Sequence, residues 1–497
     1  MRDLQERFAD LDLLEIPEMR STVDARIAEN QLVPDTAPVR PLPTPRWRGP
    51  LVAVGTAAAI VIAVAAAVFI TRGVATTEGP IEASVAPSTP TTIPAVDVQS
   101  LDWMLTELDR SLAGHDGAEL VSVTTGGPGF VAVGSTICPG TSGCNDDAAV
   151  WTSTDGISWE RVPHDPDVFG SGTDRPTDRG LQAMEDVASV GSRVVAVGMA
   201  LDEEDRPGLY AAIWTSVDGN RWSRVQFDRE VFGSHLPSSL DGDGTWIHSV
   251  AVGGPGFVAV GADSGAAAVW TSPDGVTWTR VPHDPEVFGD GEPWLAMNAV
   301  TAGGPGLVAA GHGERYSGAA IWTSPDGIEW SRVPHDEAVF GGVGFQLILD
   351  VTAGATGVVA VGLEDVPDPH TEFGTRAAIW TSPDGIAWMR VPHDPAIFGE
   401  GADERQMSSI AATDRGFVAV GNHVWVSSDG LTWALAQDVP TPESPPEGPD
   451  WWSANWWEMD DITVGPNGLV TVGTAGWYRV DGEAKPQPAV WTATPRD

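Results

Sequence analysis

Basic residues are scarce in this chain. Lys and Arg together number 27 against 69 Asp and Glu, and Lys485 is the single lysine. A net charge of −42 excludes a nucleic-acid binder, which needs cations against phosphates. It also disfavours docking of a folded part on anionic lipid. Two accounts of the acid remain, a solvated surface that repels its own copies or a surface that gathers cations or basic partners. Cysteine occurs only as Cys138 and Cys144, so a disulfide framework or a cysteine-rich zinc site is out of reach. In an oxidising compartment these two are expected to close a small loop. Neither a metal nor a cofactor is expected. Tyrosine is limited to Tyr210, Tyr316 and Tyr478.

Long apolar runs are limited to one, LVAVGTAAAIVIAVAAAVFIT at 51–71. At about 1.5 Å per residue it spans roughly 30 Å, the thickness of a hydrocarbon core. Arg40, Arg46 and Arg48 precede it and Arg72 follows, so the positive-inside rule puts the N-terminus in the cytoplasm and the rest outside. The leader before it is far longer than the n-region of a cleaved signal, which favours an uncleaved anchor. The expected organisation is a cytoplasmic leader at 1–48, a transmembrane helix at 50–72, a Ser/Thr/Pro-rich linker at 73–98 and a folded region at 99–497. Within the leader, Leu4, Phe8, Leu11, Leu14 and Ile16 outline a short amphipathic helix, a candidate handle for a cytoplasmic partner.

What the chain has in abundance is repetition. VAVG or a close variant stands at 131–134, 195–198, 258–261, 308–311, 359–362, 418–421 and 470–473. A GGPG-like turn precedes most copies. An apolar stretch ending in Trp follows each one. Each unit reads as four short strands: alternating Val, Ile, Thr and Trp, punctuated by Gly, Pro and Asp-Gly. Four-stranded units repeated radially predict an all-β, seven-bladed β-propeller.

Six Trp pairs are spaced by eight residues: 151/159, 214/222, 270/278, 322/330, 380/388 and 425/433. That spacing across a tight turn sets both rings on one face as blade core. The seventh unit has Trp491 but no following partner. LDWML at 101–105 supplies it, so the N-terminal strand is expected to close the last blade and remove two open edges.

The turns S-x-D-G-x-x-W recur at 153–159, 216–222, 272–278, 324–330, 382–388 and 427–433. They resemble the Asp-box of sialidase-type (BNR repeat) propellers, shortened by one residue before the Gly, and the resemblance covers about 101–497. It implies a structural role for Asp155, Asp218, Asp274, Asp326, Asp384 and Asp429, at the blade edge remote from the ligand face. The turn chemistry agrees, since such an Asp accepts turn N–H bonds. The family's enzymes use an arginine triad, a Tyr/Glu nucleophile pair and an Asp acid. No residue set here maps onto those positions, because Arg161, Arg224, Arg280, Arg332 and Arg390 belong to a repeated W-x-R on outer strands. Fold alone does not carry activity.

VPHD recurs at 162–165, 281–284, 333–336 and 391–394. On separate blades these residues cannot converge on one ion. In DPEVFG, Asp284 is expected to cap a helical turn, Pro285 to start it and Gly289 to end it, with Phe169, Phe232, Phe288, Phe340 and Phe398 packing between blades. Ligand-binding candidates are Trp451, Trp452, Trp456 and Trp457, crowded in an expected link at 436–459, and Glu185, Asp186, Asp350, Asp460 and Asp461, at the starts of inner strands. The reading that follows is a membrane-anchored, single-pass extracytoplasmic propeller that binds an extracellular glycan or protein without catalysis. A sialidase-like exo-glycoside hydrolase is the alternative. A transmembrane sensor signalling through the leader is a third.

Overall fold

The computed structural model describes residues 101–107, 117–136, 147–170, 181–201, 209–234, 244–290, 295–313, 318–342, 344–368, 372–399, 405–441, 451–479 and 484–495. The leader, the apolar stretch 51–71, the linker, Cys138, Cys144 and Tyr316 lie outside them. Among the described residues, no helix is long and apolar enough to cross a membrane.

Seven four-stranded antiparallel sheets make up the fold. Blade one consists of Ala118–Gly126, Gly129–Thr136, Ala148–Ser153 and Trp159–Arg161. Blades two to six begin at Leu181, Thr245, Ala296, Gln346 and Met407 in the same order of strands. Blade seven takes Trp451–Gly465, Gly468–Arg479 and Ala484–Pro495 from the end of the chain and Leu101–Glu107 from its beginning. First strands of successive blades touch in a closed circle, the seventh against the first. Leu105 pairs with Trp491 and Glu107 with Ala489, the closure expected from the tryptophan spacing. Trp103 pairs with Ala493, as Trp159 pairs with Ser153 in blade one.

Tryptophan holds the blades in two ways. The third-strand rings, Trp151 through Trp491, are fully buried. Each shares a core cluster with its fourth-strand partner, for example Trp214 with Trp222 and Trp425 with Trp433. The indole N–H of Trp214 donates to the Val168 carbonyl (2.8 Å), that of Trp270 to Val231 (2.7 Å) and that of Trp322 to Val287 (2.8 Å). Those carbonyls lie in the one-turn helices Pro166–Phe169, Arg229–Phe232 and Pro285–Phe288 that leave the preceding blade. Each ring therefore fills its own blade and pins the link from the one before. Asp284 caps its turn as expected, accepting from Glu286 N at 3.0 Å, and Phe288 is buried behind it. The VPHD histidines stack on these phenylalanines instead of converging, with His164 6.3 Å from Phe169 and His283 6.1 Å from Phe288 between ring centroids.

The Asp-box turns are structural. Asp155 Oδ1 accepts from Ile157 N and Ser158 N, both at 2.8 Å, and Trp159 Nε1 donates back to the Gly156 carbonyl at 3.0 Å. The Ser158 and Ile157 N–H groups, in that order, hold the Asp155 carboxyl below the usual range. The outer arginines lie over the third-strand rings, Arg280 at 5.4 Å from Trp270 and Arg390 at 4.9 Å from Trp380, which places them away from the channel. Tyr210 is the first residue of a third strand, and its hydroxyl accepts from Arg224 at 2.8 Å.

If the closing blade is packed as tightly as the others, Trp491→Ala and Trp425→Ala cost the same, about 3–5 kcal/mol each for a fully buried ring. Urea denaturation followed by fluorescence checks this. A markedly smaller loss for Trp491→Ala means that blade seven is loosely zipped.

Candidate active site

Every first strand contains a β-bulge. The register slips between Leu120 and Ser122, Met184 and Asp186, Ile247 and Ser249, Met297 and Ala299, Ile348 and Asp350, Met407 and Ser409, and Met459 and Asp461. The slip faces the last glycine of each VAVG. A Cβ on Gly134, Gly261 or Gly473 would come within 2.0–2.1 Å of the carbonyl oxygen of Glu119, Trp246 or Glu458. Only glycine fits such an approach. The repeated motif is thus explained by a kink in the neighbouring strand.

The kink sorts the first-strand residues into two rings around the channel. The residues after each bulge are Ser122, Asp186, Ser249, Ala299, Asp350, Ser409 and Asp461, and they tie blade to blade. Asp186 accepts from its neighbour Val187 N (2.7 Å) and from Val250 N of blade three (2.7 Å). Asp350 accepts from Val351 N (2.7 Å) and from Ile410 N of blade six (2.8 Å). Asp461 accepts from Ile462 N (2.8 Å) and from Val123 N of blade one (2.8 Å). The Ser122 hydroxyl stands 2.8 Å from oxygens of both Asp186 and Asp461, and the Ser409 hydroxyl 2.8 Å from both Asp350 and Asp461. Ser249 accepts from Val300 N of blade four (3.2 Å). At Ala299 this pattern stops, and Asn298 Nδ2 spans from blade four to the Ile348 carbonyl of blade five instead (2.8 Å). Three of the five acids expected at the channel therefore form a structural girdle.

The bulged residues themselves are Val121, Glu185, His248, Asn298, Leu349, Ser408 and Asp460, and all seven line a cavity of about 540 Å³ in the channel. Seven related blades present seven different side chains here. Next outward, Glu119, Trp246, Leu347 and Glu458 lie two positions before their bulged residues on the first strands of blades one, three, five and seven. The wall is uneven. Blades seven and two bring acid, Asp460 with Asp461 and Glu185 with Asp186. Blades three to five bring Trp246, His248, His312, Leu347 and Leu349, with Asp350 as their one acid in the lining.

Electrostatics separate the two sides further. Burial raises the Glu185 carboxyl, helped by the charges of Asp186 and Glu119. Asp460 is raised well above the usual range by burial and then by Glu458, Glu119 and Asp461. Acids so crowded cannot all ionise, and their protons leave in shared steps. In the girdle, burial and then Asp461 push Asp350 up to about 7, while burial and then Asp186 push Asp461 up to about 6. On the other wall, burial and then His312 hold His248 down to about 4, and burial holds His312 down to about 4, so both imidazoles are neutral at neutral pH. Among the described residues, no group of three or more His, Cys, Asp or Glu is arranged to hold a metal ion.

The tryptophan cluster is placed differently from the expectation. Residues 451–457 are not a link. They belong to the first strand of blade seven, with Trp451 opposite Arg479 and Trp452 opposite Tyr478. Asp460 and Asp461 accordingly stand deep within a strand instead of at its start. Trp457 is half-buried and packs 5.9 Å from Trp491 between ring centroids, a core position. The missed signal was an apolar residue, any residue, then Ser, Asp or Ala, then Val or Ile, present in all seven first strands from LVSV at 120–123 to MDDI at 459–462.

No family model matches the chain, and no curated protein does. Solved structures of similar fold include an α-L-arabinofuranosidase of Fusarium graminearum, 11% identical, covering 79% of this chain and 97% of that one with a TM-score of 0.38. A periplasmic gluconolactonase of Pseudomonas aeruginosa is 11% identical and covers 64% of this chain and 84% of its own, with a TM-score of 0.38. An ancestral GH74 enzyme is 13% identical over 63% of this chain and 38% of its own, with a TM-score of 0.34. At such identity the likeness is one of fold. All three are named as enzymes, which runs against the expectation of a binding module without catalysis, although the likeness itself reaches no further than the fold.

The girdle has a pH signature. Asp350 and Asp461 hold their protons more tightly folded than at the ordinary value of 3.8. A raised acid stabilises the fold below about pH 4, and that contribution is lost as pH climbs through 6 to 7. The overall negative charge acts with the same sign. The thermal midpoint is therefore expected to fall between pH 4 and 7, and Asp350→Asn, which cannot ionise, to flatten the fall. Equal slopes in the variant and the parent chain would contradict the burial of this group.

Proposed function

We propose that the chain is a glycoside hydrolase whose reaction takes place in the propeller channel. The observation that carries this reading is the placement of Glu185 and Asp460 on bulges, crowded by further acids, in the lining that a cavity of about 540 Å³ shares with half-buried Trp246. Glycoside hydrolysis needs one carboxyl that keeps its proton at working pH and one that ionises. A cluster whose members suppress each other's ionisation supplies both states. Asp460, the more strongly raised of the two by burial and by Glu458 beside it, is the proposed general acid. Glu185, once ionised, is the proposed base or nucleophile. The Asp-box turns support kinship in build with the sialidase-type propellers. Their catalytic set does not support sialidase chemistry here, since no arginine and no tyrosine lines the described cavity. The uncharged stretch 51–71, with arginines before it, supports an enzyme held at the cell membrane with its propeller outside.

Glu185→Gln and Asp460→Asn are each expected to lower kcat/KM on a cleaved fluorogenic glycoside by about 10²–10⁴-fold, the worth of a positioned acid or base. Their thermal midpoints should not fall below that of the parent chain, because an amide in place of a buried, raised carboxyl removes an ionisation that opposes folding. Full activity in both variants would sink the proposal.

A further inference from the structure

We infer that the channel takes neutral sugars, seated on Trp246, and rejects acidic ones. This deepens the hydrolase reading and relies on it for the identity of the site. Three observations converge. The first is charge. Asp460 and Asp461 of blade seven, Glu185 and Asp186 of blade two and Asp350 of blade five line the cavity, and the described lining holds neither arginine nor lysine. A sugar carboxylate or sulfate entering here meets like charge with no cation to repay its lost water, a penalty that works as specificity against it.

The second is the rest of the wall. Trp246 is half-buried and exposes one part of its ring to the lumen. His248 meets that ring edge-on, 6.2 Å between centroids at 66°, and fixes the plane of the indole. A fixed aromatic plane with apolar Leu347 and Leu349 in the same lumen suits the C–H face of a neutral ring. The third is the state of the imidazoles. His248 and His312 are enclosed in a wall of Ala262, Leu295 and Ala296, where an imidazolium is unwelcome. His248 offers a neutral hydrogen-bonding ring to hydroxyls, and neither imidazole offers positive charge to a carboxylate. Asn298, on the bulge of blade four, offers its amide to the same lumen.

The test uses the full chain in mild detergent. Hydrolysis is measured with 4-methylumbelliferyl arabinofuranoside, glucoside and galactoside beside the glucuronide and the sialoside. Binding of the corresponding free neutral oligosaccharides is followed by tryptophan fluorescence. We expect cleavage confined to neutral glycosides, a rise of tenfold or more in KM for Trp246→Ala with a smaller change in kcat, and recovery of most of that affinity in Trp246→Phe. If the Ala variant loses thermal stability, the Phe variant and the fluorescence titration are read in its place. Cleavage of the glucuronide or sialoside at comparable efficiency would overturn this inference and leave the hydrolase reading standing. Neutral-sugar binding that quenches Trp246 without any cleavage would support it and overturn the hydrolase reading. A chain that neither binds nor cleaves a neutral sugar overturns both.

Discussion

The architecture depends on one close approach. At the end of each VAVG a glycine lets the carbonyl of the adjoining first strand come nearer than any side chain would allow. That carbonyl belongs to a kinked strand. The kink inserts one residue, and the residue after it is turned toward the next blade. Aspartate or serine at that point accepts a neighbour's N–H in most of the circle. Blade packing, channel width and the aim of the bulged side chains all follow from this contact. An unpaired N–H or a carboxylate facing carbon would each cost more than the hydrogen bond is worth, so the arrangement holds as a set.

Much of this was legible in the residues, for a physical reason. Seven copies of one unit average away the noise of a single strand assignment, so blade number, strand order and ring closure could be read from Trp103, Trp491 and the VAVG spacing. The Asp-box and the DPEVFG turn were legible because their chemistry is local. Asp155 bonds to residues two and three further on, and Asp284 to Glu286. The girdle was not legible in the same way. Asp461 bonds to Val123, far away in sequence, and nothing in the local pattern says so. Asp186, Asp350 and Asp461, read as ligand-binding candidates, proved to be enclosed and hydrogen-bonded between blades. The WW cluster misled because an aromatic-rich stretch after prolines looks like a link, whereas residues from 451 onward already form the blade.

Division of labour between the two rings explains how a repetitive scaffold hosts a specific site. The girdle repeats Ser or Asp with one Ala and carries the load of assembly. The bulged ring differs in every blade and is free to carry chemistry. The two communicate through charge, since Asp186 stands beside Glu185 and Asp461 beside Asp460. Structural carboxyls thereby add to the burial that raises the bulged ones. A circle of identical blades would present seven equal side chains to the lumen and leave every direction across it equivalent.

The seam in blade seven has its own consequence. Leu105 and Trp491, hydrogen-bonded neighbours in one sheet, are nearly four hundred residues apart along the polypeptide. During synthesis, six blades emerge before the last three strands exist, and Leu101–Glu107 has no place to lie. Ring formation is therefore the final event of maturation, governed by a contact of very high sequence separation and correspondingly slow. Until then the first strands of blades one and six lack the neighbour that blade seven supplies.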